Sequence, residues 1–304
     1  MLYEPESRIR VREMRRKILF GLMLIALVLG TSLLVQAQAS IVQNDLVSRK
    51  PGNKPPKPPG KGSEKGGIAT GEVSAPQDEN RRWAIIIGIS DYSEINDLRF
   101  CDEDALDMLD ALLDYGYPRD NIRLLISDGV DNNASLSDIV AAVDWLLGEV
   151  SSEEDEVVFF YAGHGSRSNY DMDGDRERRD ECIISSDDQY IWDGTLTYWF
   201  DGIASQRLFF YFDSCYAGGM TDLAGYGRLI CMACRENQVA FESQGLQNGL
   251  FTHYFVDQGI LERKADLNTV DGIVTFEEAF DYAVANISGQ TPQASDNFND
   301  DMQP

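Results

Sequence analysis

Residues 156–166 read EVVFFYAGHGS. From Val157 to Tyr161 the stretch is apolar without a break, lacking the alternation of a strand that shows one face to water. A continuous apolar run bounded by glycines marks a strand buried on both faces of a parallel sheet. Working outward, WAIIIGI (83–89), NIRLLIS (121–127), RLFFYF (207–212) and Arg228–Met232 have the same character. Helical patterns lie between them. From Asp102 to Leu113 the residues Ala105, Leu106, Met108, Leu109 and Leu112 fall at helical spacing, with Gly116 just beyond. Ser135 and Asp138 form a capping box that opens a helix to about Leu147. Residues 249–256 and 276–285 also read as helices. Strands alternating with helices predict an α/β fold, a three-layer α/β/α sandwich with a mostly parallel central sheet. In that architecture, sites gather where loops converge at the carboxyl ends of the strands.

Two strand ends carry reactive side chains. EVVFFY runs into Ala162-Gly163-His164-Gly165-Ser166, and RLFFYF runs into Asp213-Ser214-Cys215-Tyr216-Ala217-Gly218-Gly219. A histidine and a cysteine on one sheet edge suit an activated thiol, the imidazole taking the thiol proton to make a nucleophile. The neighbouring glycines let the backbone turn so that N–H groups face a developing oxyanion.

YAGHGS followed about fifty residues later by DSCYAGG resembles the caspase and metacaspase superfamily of cysteine peptidases, nearer the metacaspase side. The likeness runs from about Arg82 to the C-terminus and takes in LRFCDEDALDM, the DGD loop and GLFTHYF. It implies a caspase-like fold and peptide-bond hydrolysis by Cys215 as nucleophile and His164 as general acid/base. The N–H groups of Gly165 and Cys215 match the oxyanion hole. Asp213 and Asp104 match an acidic S1 pocket, with Cys101 beside it. A carboxylate pair in a cleft recognises Arg or Lys by charge-assisted hydrogen bonds. No arginine flanks these motifs to hold an acidic residue instead. The expected partners are therefore proteins or peptides with Arg or Lys at P1.

Calcium is the expected cofactor. Asp171, Asp173 and Asp175 alternate about a glycine and supply the hard oxygen donors that Ca²⁺ takes. The resemblance adds Asp180, Asp193 and Asp222 as ligands, although the family has two adjacent acids where this chain has Asp193-Gly194. A second acidic stretch from Asp266 to Glu278 is like an EF-hand loop with one residue too many, which predicts a structural turn. Cys231 and Cys234 have CxxC spacing on a strand, where they point to opposite faces and make no zinc site. His253, in an aromatic helical stretch, reads as a packed residue.

Three segments are expected: 1–39, 40–80 and a peptidase-like domain at 81–304. Six basic residues between Arg8 and Lys17 precede an uncharged apolar run from Ile18 to Val35, then Ala37-Gln38-Ala39. This is a signal peptide or a retained membrane anchor, and either places the rest outside the cytoplasm. The spacer carries NKPPKPPGKGSEKGG at 53–67, an extended and flexible composition. The whole chain has 26 basic and 51 acidic residues, a net charge of −25, which excludes nucleic acid as a partner. Membrane contact is expected only through the N-terminal segment. A single uncut chain is expected, any self-cutting falling at Arg176, Arg178, Arg179 or Lys264. Two other readings stay open on sequence alone: a binding module that keeps the fold, and a legumain- or gingipain-like relative with another P1 preference.

Overall fold

The computed structural model describes residues 67–76, 78–174, 179–267 and 270–304. The apolar run at 18–35, most of the proline-rich spacer, Asp175, Arg176 and Arg178 lie outside the described residues.

The central sheet has six strands. They are β2 (Arg82–Ile89), β3 (Ile122–Ser127), β4 (Glu156–Ala162), β8 (Arg207–Asp213), β9 (Arg228–Met232) and β12 (Gln293–Asp296), in the order β12-β9-β8-β4-β2-β3. Every pairing is parallel except that of β12 with β9. The unbroken apolar runs have the cause that their sequence implied. Val158, Phe160, Phe209 and Tyr211 face one layer of helices, while Val157, Phe159, Phe210 and Phe212 face the other. The first layer holds α1 (Cys101–Asp114), α4 (Leu250–Thr252) with its continuation His253–Leu261, and α5 (Phe276–Asn286). The second holds α2 (Leu136–Glu149) and α3 (Asp193–Phe200). Phe159, Phe160, Phe209 and Phe210 are fully buried, and each contributes about 2–3 kcal/mol by leaving water. The fold class is the expected α/β/α sandwich.

Local signals decide several element ends. Ser135 caps α2, with its side chain on the N–H of Asp138 and the Asp138 carboxylate returning to the N–H of Ser135. Thr275 and Glu278 form the same box on α5, so this part of the acidic 266–278 stretch is a helix start. Asp266 likewise takes the Gly272 N–H at 2.9 Å, a turn contact. The helix expected at 249–256 begins at Leu250 and widens into a π-helix over His253–Leu261.

Two features differ from the sequence reading. A separate antiparallel sheet, β5 (Gly165–Arg167), β6 (Glu181–Ile184) and β7 (Tyr190–Trp192), leads into α3. Its strands have three or four residues, too few to show a period. The second difference concerns the end of the spacer, which is docked on the domain ahead of residue 81. Ile68 is buried, and the N–H groups of Ile68 and Ala69 donate to the Asp281 carboxylate at 2.9 and 3.1 Å. Thr70 and Gly71 give N–H and hydroxyl bonds to Asp301, and β1 (Val73–Ser74) pairs in parallel with β13 (Asp301–Met302). The acceptors lie more than two hundred residues away, so no local pattern announces the docking. Among the described residues, no helix is long and apolar enough to cross a membrane.

Candidate active site

Strands β4 and β8 are neighbours in parallel register, with Ala162 opposite Asp213. Two residues beyond that pair, the chains carry His164 and Cys215. The Gly163 N–H donates to the Asp213 carbonyl at 3.2 Å and holds the two exits together. A Cβ placed on Gly165 would lie 2.1 Å from the Cys215 carbonyl oxygen, so only glycine permits this approach. The pairing alternation of β5 with β6 turns the Gly165 N–H away from β6, because the Ile184 N–H reaches the His164 carbonyl on the adjacent pair.

The histidine is held on three sides. Its N–H donates to the Tyr92 hydroxyl at 2.7 Å, and its carbonyl accepts from the Tyr161 hydroxyl at 2.7 Å. The Tyr92 ring packs at 4.7 Å from the imidazole. Nε2 lies 2.6 Å from the Asn96 carbonyl oxygen, which can only accept. The ring proton therefore sits on Nε2 and leaves the Nδ1 lone pair available. Cys215 is half-buried, with Sγ 3.9 Å from the Ala240 carbonyl. Burial, then the charges of Asp213 and Glu242, push its thiol above the usual range. It rests as a thiol and needs a base to become a nucleophile. Tyr92 and Asn96 were absent from the sequence reading, since they act from the loop after β2 without any motif.

Asp104 and Asp213 meet across Gly249. The Gly249 N–H donates to Asp104 Oδ1 at 2.8 Å, and Thr252 gives its N–H and hydroxyl to Asp213 Oδ2 at 3.0 and 2.9 Å. A Cβ on Gly249 would stand 2.5 Å from Asp213 Oδ2 and 2.7 Å from Asp104 Oδ2, so a bare backbone lines the gap between them. A third acid, Glu242, was not anticipated. It accepts from the N–H groups of Arg99 and Phe100 and from the Cys101 thiol at 3.6 Å. Burial, then the Asp213 charge, lifts Asp104 well above the carboxylate range. Asp213 is raised to about 6 by burial, with Thr252 pulling the other way. The proton is held on Asp104, since Asp213 receives the two Thr252 donors. Among the described residues, no Lys or Arg forms an ion pair with any of these acids.

The acidic loop forms its own cluster. Donor atoms of Asp171, Asp173 and Asp180 lie within 4.8 Å of one another. Asp173 also accepts the Gly194 N–H at 2.9 Å, which ties the loop to the start of α3. Asp193 is pushed up to about 9 by burial, then by Asp222 and Asp173, so these acids share one field. Asp175 is outside the described residues. Asp180 joins the cluster to β5, its carbonyl accepting the Ser168 N–H at 2.8 Å.

The remaining candidates are elsewhere. Cys231 and Cys234 belong to opposite core layers, and all five cysteines are free. His253 bonds to Asp257 and Gln258, not to Cys215. Arg179 is exposed, and Lys264 pairs with Glu262 at 2.5 Å.

Adjacent parallel strands that deliver a histidine and a cysteine beside an acid-lined gap define the frame of a cysteine peptidase of α/β/α type. A caspase domain profile matches residues 81–301, and the chain belongs to that family. It is 33% identical over 156 residues to Metacaspase-1 of Pyricularia oryzae, covering 48% of this chain and 39% of that protein. With Metacaspase-1 of Schizosaccharomyces pombe the identity is 31% over 155 residues, covering 48% and 36%. The chain thus spans well under half the length of these relatives. Among solved structures, protein GSU0716 from Geobacter sulfurreducens shares the fold, with a TM-score of 0.54 at 16% identity, covering 70% of this chain and 92% of that one.

Proposed function

We propose that this protein is a cysteine endopeptidase that cleaves after Arg or Lys, using Cys215 and His164, and that it works with calcium outside the cytoplasm. The observation that carries the specificity is the gap walled by Asp104, Asp213 and the Gly249 backbone, with Asp213 two residues before Cys215 in the chain and no basic partner among the described residues. A guanidinium or ammonium group entering there replaces the proton held on Asp104 and makes charge-assisted hydrogen bonds to both carboxylates.

Nδ1 of His164 takes the thiol proton as Sγ attacks the carbonyl carbon, and the N–H groups of Gly165 and Cys215 receive the oxyanion. Collapse expels the amine, which takes the proton back from the imidazole, and water then hydrolyses the thioester with His164 as base. The test is a panel of fluorogenic peptides with Arg, Lys, Asp or Asn at P1. Cleavage confined to Arg and Lys is expected, and hydrolysis after Asp or Asn would refute the pocket.

Gly165→Ala is expected to lower kcat about hundredfold or more, as loss of one oxyanion donor does, because its methyl displaces the backbone from Cys215. Steady-state kinetics beside a melting curve checks this. Near-normal kcat in a folded variant would remove Gly165 from the site.

The donor set fits calcium: Asp171, Asp173 and Asp180 would hold it, with Asp193 and Asp222 alongside. Bound there, the ion supplies positive charge that offsets the crowded carboxylates. Asp180 directly precedes β6, whose partner strand β5 carries Gly165, so order in this loop extends to the oxyanion side. Chelation is expected to reduce kcat/KM at least about tenfold and lower Tm by several degrees, both restored by calcium. Unchanged activity and Tm in chelator would eliminate the metal.

The basic cluster before the apolar run at 18–35 supports an extracytoplasmic location, with an N-terminal segment that is cleaved or left as an anchor.

A further inference from the structure

The Gly249 wall is held from behind. β11 (Asn248–Gly249) pairs antiparallel with β10 (Glu242–Ser243), which places Glu242 opposite Gly249. Asp104 receives the Gly249 N–H, and one turn further along α1 Asp107 receives the side-chain amide of Asn248 at 3.0 Å. The same amide donates to Asp257 Oδ2 at 2.5 Å. Two adjacent residues of the hairpin are therefore clasped by α1 on one side and by the π-helix on the other.

Asp257 is set in turn by a directional chain of hydrogen bonds. The Tyr282 hydroxyl donates to Gln258 Oε1 at 2.9 Å, which fixes that amide so that Nε2 donates to His253 Nε2 at 3.0 Å. The His253 proton is thereby confined to Nδ1, which donates to Asp257 Oδ2 at 3.0 Å. Asp257 Oδ2 takes both the Asn248 amide and the His253 ring N–H, and the Asp107 carboxyl lies beside the same group. Burial, followed by the charge of Asp107, raises this carboxyl to about 8. The cluster lies behind the pocket wall and does not bond to Cys215 or His164.

We propose that His253 and Asp257 are positioning residues for P1 selection: through Asn248 they hold the Gly249 backbone against Asp104 and Asp213, and so tune affinity for a cationic P1 side chain without touching it. The kinetic half of this inference rests on the acidic-pocket reading, while the positioning half stands on the hydrogen bonds alone.

The test compares full-length wild type, His253→Ala and His253→Asn, since an asparagine amide can replace the Nδ1 donor. Hydrogen exchange across residues 242–252 is expected to quicken about tenfold in His253→Ala and to return toward wild type in His253→Asn, as for loss of one buried hydrogen bond. With an Arg peptide, KM should rise by a similar factor of about ten while kcat stays within about twofold. Should His253→Ala fold poorly, Gln258→Leu removes the tautomer lock at a half-buried position and is expected to raise KM about threefold. Unchanged exchange in the folded variants, or a fall in kcat with KM constant, would overturn the proposal. Faster exchange in a protein whose wild type cleaves no Arg or Lys peptide would overturn the pocket reading while supporting the positioning of the hairpin.

Discussion

Cys215→Ala is expected to lower kcat by about 10⁴-fold or more while moving Tm by no more than about 2 °C. With Cys215 as the proposed nucleophile, the two effects separate because the thiol adds little to packing. It is half-buried, and its polar contact is one long approach, 3.9 Å, to the Ala240 carbonyl. Without Sγ no thioester forms, and neither His164 nor the oxyanion donors replace a nucleophile. His164→Ala should lose nearly as much, because burial and the acids around Cys215 keep the thiol protonated. The double variant should be no worse than the more impaired single one, since the two residues act as a unit. Residual activity above about one per cent in Cys215→Ala would mean that another group attacks the substrate.

Asp104→Asn should make the protein both more stable and less able to bind its substrate. The Asp104 carboxyl is buried and raised well above its ordinary range, so the folded state holds a proton that the unfolded chain releases. Stability from this group is therefore fully present at acid pH. It is lost as pH rises from the ordinary carboxylate range toward the raised value. Asparagine keeps an oxygen for the Gly249 N–H and removes the titration. At neutral pH Tm should rise by about 2–4 °C per kcal/mol of protonation cost removed, and the acid-side gain of the wild type should shrink. For an Arg peptide, kcat/KM should fall about 10²–10³-fold, chiefly in KM, the scale of truncating one buried charge partner. In the wild type, kcat/KM for Arg should climb with pH through about 6, where Asp213 ionises. Melting curves across pH, beside Arg and Lys kinetics, decide the matter. A variant less stable than wild type but equally active on Arg would refute the shared pocket.

The legible part of this molecule was the part with local cause. EVVFFY and RLFFYF announce their strands because both faces are buried, and burial on both faces leaves no polar positions. That His164 and Cys215 leave adjacent strand ends was legible because parallel strands bring their carboxyl ends together. Asp104 was marked by family likeness, for an acid in the first turn of a helix is also favoured by the helix dipole. Glu242, Tyr92 and Asn96 stayed hidden for a different reason. Glu242 and Tyr92 act through contacts with residues distant in sequence, and Asn96 uses a backbone carbonyl that any residue could have offered. The β5–β7 sheet was missed because its strands are too short to show a period.

The pairing of β1 with β13 gives the domain the connectivity of a ring. Its first described strand is fastened to its last, so a single break in an outer loop does not release either piece. A cut after Arg179, for instance, leaves fragments that still share β4 with β8 in the sheet and β1 with β13 at the termini. The order of assembly is also constrained. Gly67–Ser74 emerges from the ribosome early but finds its acceptors only when Asp281 and Asp301 exist, so it cannot dock until nearly all of the domain has been made.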